Sequence, residues 1–106
     1  MAAISIIGIG GMARALGARA VAGGNVVEVI GRDAAKAQEV AGELGHGATA
    51  GTFGSVPAGD IVILAVPNAS AVSVVTRYGD ALAGKVIVDL TNPVNADASG
   101  LVTAEG

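Results

Sequence analysis

Apolar residues in this chain come in short unbroken runs, with glycine, charge and polar residues in the gaps. Ala3-Ile4-Ser5-Ile6-Ile7, Val26-Val27-Glu28-Val29-Ile30, Asp60-Ile61-Val62-Ile63-Leu64-Ala65-Val66 and residues 86–90 each have the length of a strand and little alternation. That is the pattern of strands buried on both faces of a parallel sheet. Residues 48–53 form a weaker, glycine-containing third strand. Glu28 interrupts its run, so its side chain is expected to reach an edge or solvent.

Between the strands the period changes. Met12, Leu16 and Ala20 recur at helical steps with Ala13 and Gly17 beside them, and Arg14 and Arg19 lie toward the other side. This predicts a helix over 11–22 with a small-residue face, ended by Gly23-Gly24-Asn25. Asp33 is placed to cap a second helix, 34–44, which Gly45 ends. A third helix is predicted over 69–78, after the Pro67-Asn68 turn. Residues 96–106 are polar and give no clear pattern beyond a possible short helix.

Strands alternating with helices imply an α/β fold of the Rossmann type: one domain, a parallel sheet with helices on both faces (three layers, α/β/α) and right-handed crossovers. The usual strand order, 3-2-1-4-5, puts the cleft between the first and fourth strands. The first two helices then share one face and the third covers the other. The second face looks thinly covered, and the apolar sides of Ile61, Ile63, Val86 and Val88 are expected to need cover there. A homodimer or an exposed apolar patch is the predicted consequence.

The first strand runs into Gly8-Ile9-Gly10-Gly11-Met12-Ala13, a G-x-G-x-x-A pattern opening a helix. In that setting it reads as a dinucleotide-binding turn. Gly8 allows the sharp exit from the strand, Gly10 lets a pyrophosphate approach the backbone, and Ala13 lets the helix pack closely. The N–H groups of the helix start and its dipole hold the phosphates. With 17 glycines in 106 residues, the pattern alone says little; the strand before it and the helix and strand after it give it weight.

An NAD site carries Asp or Glu at the end of the second strand. Here Gly31 stands in that place, which leaves room for a 2′-phosphate. Arg32 follows, and Lys36 lies one helical turn on. A guanidinium can fork two phosphate oxygens, so Arg32 and Lys36 are the candidate clamp for NADP(H). A solvated charge cluster of Arg32, Asp33 and Lys36 is the plainer alternative.

Composition narrows the remaining classes. A net charge of −3 and one Phe, one Tyr and no Trp argue against nucleic-acid partners. The absence of cysteine excludes disulfides and thiolate metal sites. His46, between two glycines, reads as a loop residue. No apolar run is long enough to span a membrane, and the N-terminus lacks the basic region of a signal peptide, so a cytoplasmic location is expected. Ser70 and Ser73 have no nearby histidine to make a triad, and no acid–base pair is evident.

Taken together, the glycine turn, Gly31-Arg32-Asp33 with Lys36, the strand ending Ala65-Val66-Pro67, and Asp89-Leu90-Thr91-Asn92-Pro93 resemble the deazaflavin-dependent NADP reductases, which use coenzyme F-420. The resemblance covers most of the chain in order. The Ala-Val-Pro turn is also shared with pyrroline-carboxylate and ketopantoate-type reductases. The resemblance implies that Arg32 and Lys36 hold the 2′-phosphate and that Ala65, Val66 and Pro67, with Asn68 and the Thr91-Asn92-Pro93 loop, border the nicotinamide half. It implies hydride transfer between NADPH and a deazaflavin or related small-molecule acceptor. Where the family has Ser or Thr before the arginine, this chain has Gly31. Family members run to about twice this length, so a C-terminal continuation is expected. A non-catalytic NADP(H)-binding or sensing module is the alternative, and FAD or S-adenosylmethionine the more distant one.

Overall fold

The computed structural model describes residues 2–66 and 68–90. Five strands, β1 (Ala3–Ile7), β2 (Val26–Gly31), β3 (Thr49–Thr52), β4 (Ile61–Leu64) and β5 (Val86–Asp89), form one parallel sheet in the order β3-β2-β1-β4-β5. The helices are α1 (Gly11–Ala22), α2 (Ala34–Leu44) and α3 (Asn68–Tyr78), the last followed by a 3-10 turn, Gly79–Leu82. The expected three-layer α/β architecture is present. The fourth strand is shorter than its apolar run, because Ala65 and Val66 lie in the turn that follows it.

Register divides the strand residues between two cores. Ile4 pairs with Val27 and Ile6 with Val29; Ile6, Val27 and Val29 pack with Ala13 of α1 and Ala37 and Val40 of α2. On the opposite face Ile7, Ile30, Val62 and Leu64 pack with Val74 and Tyr78 of α3. Buried on both faces, the central strands have no solvent side on which to alternate.

Three sequence expectations change. Ile61, Ile63, Val86 and Val88 lie on the α1–α2 side, not under α3: Ile6 pairs with Ile63, and Ile63 with Val88, and residues in register share a face. Strand β5 is exposed along its length, with Val86 at 60%. In α1 only Met12 leaves the expected face, half-exposed; Ala13 and Gly17 are buried, and Leu16 and Ala20 pack against the core as expected. The helix approaches α2 so closely that a Cβ on Gly17 would lie 2.7 Å from a Leu44 methyl carbon.

Glu28 is the third. β2 is flanked by β1 and β3, so its side chain has no sheet edge to reach. One carboxylate oxygen accepts from the buried Ser5 hydroxyl at 2.6 Å and from the Ala58 N–H at 2.9 Å. The Ser5 hydroxyl in turn accepts from the Gly59 N–H at 2.8 Å. Gly51, beside Glu28 on β3, has no side chain to compete for that space. This knot ties the loop entering β4 to the first two strands.

Candidate dinucleotide site

Three strand ends are stitched together where β1 gives way to the glycine turn. The Gly8 N–H donates to the Ile30 carbonyl at 2.8 Å, and the Ala65 N–H donates to the Ile7 carbonyl at 2.9 Å. Gly8 has φ +144°, and a Cβ there would run into the Ala65 carbonyl. Only glycine suits both the backbone conformation and the contact.

Gly10 is the N-cap of α1, and no side chain caps the helix. The first intrahelical bond is from the Arg14 N–H to the Gly10 carbonyl, 3.0 Å. The N–H groups of Gly11, Met12 and Ala13 therefore open the helix without a side-chain acceptor, at the positive end of its dipole. A Cβ on Gly10 would have nothing within 4 Å. Ala13, 1% exposed, seats the helix on the sheet. Unsatisfied donors facing open space beside a bare backbone fit a pyrophosphate.

From this turn a cleft of about 350 Å³ extends over the sheet edge. Gly8, Ile9, Gly10, Gly31, Arg32, Ala65 and Val66 all line it, so seven residues singled out in the sequence come together. It continues into a second cleft of about 450 Å³ past the end of β2, walled by Gly31, Arg32, Gln38, Thr52, Phe53 and Arg77. Lys36 is in the first turn of α2, exposed, and lines neither cleft. Gly11 and Met12 lie at the helix start outside the lining, and Asn68 is the first residue of α3. Pro67, Thr91, Asn92 and Pro93 lie outside the described residues.

The Asp33 carboxylate does not oppose Arg32. It caps α2, accepting from the Lys36 N–H at 3.2 Å. The space beside Gly31 is shared with Ile9, whose γ2-methyl would be 2.6 Å from a Cβ there. Among the described residues the ion pair is Arg14–Glu43, and neither Arg32 nor Arg77 takes part in one. Both clefts carry the exposed Arg32 guanidinium, the first also the capping Asp33 carboxylate and the second also Arg77.

Sequence reasoning missed Phe53, Ser73 and Arg77. The Arg32 guanidinium carbon stands 4.9 Å from the Phe53 ring centroid, and an Arg32 N–H donates to the Ser73 hydroxyl at 3.3 Å. Phe53 packs edge-on against Tyr78, ring centroids 5.3 Å apart. The available signal was the spacing of Ser73 and Arg77, one turn apart on α3 and so on one helix face. Burial raises the Tyr78 phenol above its ordinary pKa, with Glu28 adding to the rise and the Gly54 backbone and Arg77 opposing it. No group of His, Cys, Asp and Glu among the described residues could hold a metal ion, and no described helix is long and apolar enough to cross a membrane.

A family model described as "NADP oxidoreductase coenzyme F420-dependent" matches residues 3–93. Among solved structures, the hypothetical protein SMa0349 from Sinorhizobium meliloti is 30% identical with a TM-score of 0.76, over 90% of this chain and 46% of that one. An imine reductase from Aspergillus terreus, in complex with NADPH4 and dibenz[c,e]azepine, is 28% identical with a TM-score of 0.72, over 87% of this chain and 32% of that one. A putative F420-dependent NADP-reductase from Arthrobacter sp. FB24 shares the fold at 24% identity and a TM-score of 0.75, over 90% of this chain and 47% of that one. No curated protein matches. The chain spans about a third to a half of the length of these structures.

Proposed function

The chain belongs to the family of coenzyme F420-dependent NADP oxidoreductases, and we propose from that premise that it is the NADP(H)-binding domain of an enzyme moving hydride between NADPH and a deazaflavin or related acceptor. The observation that carries the reading is the start of α1: uncapped N–H groups above a Gly10 with empty space where a side chain would be. The nicotinamide, when bound, supplies the hydride chemistry. The chain's part is to hold and orient. The N–H groups of α1 take the pyrophosphate, Gly8 and Ala65 set the floor of the cleft, and Val66 borders the nicotinamide half with Pro67 and the 91–93 loop. Arg32 meets the 2′-phosphate, and Gly31 brings no carboxylate to repel it. A homodimer and a cytoplasmic location accompany this reading.

Titration with NADPH and NADH tests it. NADPH is expected to bind more tightly, and Arg32→Ala to weaken NADPH alone by about 1.5–3 kcal/mol, the range for a charge-assisted hydrogen bond. Equal wild-type affinities for the two would overturn the NADP(H) assignment. Candidate acceptors added to the NADPH complex then test for turnover; binding without turnover by the full-length protein would favour a sensing module.

A further inference from the structure

Arg77 belongs to no part of the glycine fingerprint, yet it reaches the same cleft as Arg32 from the other side of the sheet edge. Its guanidinium carbon is 5.5 Å from the centroid of the Phe53 ring that also carries Arg32. Its chain lies across Gly54, where a Cβ would be 3.0 Å from the Arg77 Nε. Gly54 has φ +92°, a conformation that suits glycine. Phe53 is itself fixed edge-on by the buried Tyr78, so the ring is a rigid post for both cations. Ser73, one turn before Arg77, accepts from Arg32 and ties the α2 side of the cleft to α3.

Two like charges on one ring repel each other, and no carboxylate among the described residues pairs with either. An anion with several oxygens would relieve that repulsion and satisfy both forks. The cleft they flank lies past the end of β2, beside Gly31 and Thr52, where the adenosine ribose of a bound dinucleotide is expected. Lys36 does not line it.

We propose that Arg77, supplied by α3, is the second cation of the 2′-phosphate site, in the place the local sequence gives to Lys36. This rests on the NADP(H) reading and adds a specificity-determining residue to it. The site is thereby built across two elements, and the phosphate bridges the start of α2 to the end of α3.

Calorimetric titration of the full chain with 2′,5′-ADP and with 5′-ADP tests the assignment, since the two ligands differ only in the 2′-phosphate. Wild type is expected to favour 2′,5′-ADP. Arg77→Gln is expected to lower that preference by about ten-fold or more, the effect of losing a charge-assisted contact, with 5′-ADP affinity unchanged as proof of a folded site. Lys36→Gln is expected to leave the preference within about two-fold. Arg77→Lys, which keeps the charge and the stem over Phe53, is expected to retain part of it. An unchanged preference in Arg77→Gln, or its loss in Lys36→Gln alone, overturns the proposal and leaves the NADP(H) reading standing. No preference in wild type overturns that reading, and this proposal with it.

Discussion

Gly8 and Gly10 sit two residues apart in one turn, and the structure assigns them separable tasks. Gly8→Ala puts a Cβ at φ +144° and into the Ala65 carbonyl. The backbone strain costs about 1–3 kcal/mol, and displacing the end of β4 adds roughly 1–3 kcal/mol of overpacking. A loss of about 2–6 kcal/mol lowers the melting temperature of a domain this size by at least roughly 8 °C. Gly10→Val meets open space at φ −84°, so its cost is that of a poor N-cap, about 1 kcal/mol or less. Its side chain, however, occupies the space that the pyrophosphate needs beside the N–H groups of α1. Losing two charge-assisted hydrogen bonds of about 1.5 kcal/mol each weakens binding by more than about 100-fold. Thermal melts and NADPH titration on both variants separate fold from binding. A folded Gly10→Val protein that binds NADPH as wild type does, or a Gly8→Ala protein that melts with wild type, would refute this division.

Three further outcomes follow from the packing. Glu28→Ala strands the Ser5 hydroxyl and the Ala58 N–H and is expected to cost about 2–3 kcal/mol in urea melts, while Glu28→Gln keeps an acceptor and loses less; equal losses would show that the knot does not depend on that oxygen. Burial raises the Tyr78 phenol, so its stabilising contribution is complete below the unfolded value near 10 and is lost as pH rises through the higher folded value; Tyr78→Phe should remove that alkaline fall in stability, and a fall that persists unchanged points elsewhere. The exposed β5 side chains, with Val86 at 60% and Ile87 at 40%, predict self-association in sedimentation experiments that Val86→Lys weakens; a wild-type monomer across the concentration range rules it out.

The three helices and the glycine turn were legible because each rests on local signals, and the strand order because it is the usual one for the fold class. Continuous apolar runs can be satisfied in a chain this short by a doubly covered parallel sheet. Asp33 and Gly45 mark the ends of α2 within one residue, since caps are properties of single positions. Glu28 was misread because a charged residue in an apolar run says only that its neighbours are buried; its partners, Ser5 and Ala58, are 23 and 30 residues away. The sides of Ile61 and Val86 were misread because alternation is silent in a run with no polar positions, and register comes from pairing. Phe53 and Arg77 escaped for the same reason as Glu28: Arg32 and Arg77 share the Phe53 ring only once β3 and α3 are packed on β2.

Gly31 shows how such a packing contact changes a functional argument. In the sequence it reads as room for a 2′-phosphate in place of an NAD-type carboxylate. In the fold, Ile9 takes up part of that room, its γ2-methyl 2.6 Å from the position of a Cβ on Gly31. Selection for NADP(H) then has to come from attraction, through the guanidinium groups at the cleft, more than from vacant space. The consequence is testable in the reverse direction. Gly31→Asp restores the residue type that binds the ribose hydroxyls of NAD, but its Cβ collides with Ile9, at a cost of about 1–3 kcal/mol for an overpacked site. Alone it is expected to lose NADPH without gaining NADH. Gly31→Asp with Ile9→Ala removes the colliding methyl and is expected to raise NADH affinity by about ten-fold over the single variant. NADH gained by Gly31→Asp alone, at an unchanged melting temperature, would mean that Ile9 does not guard this position.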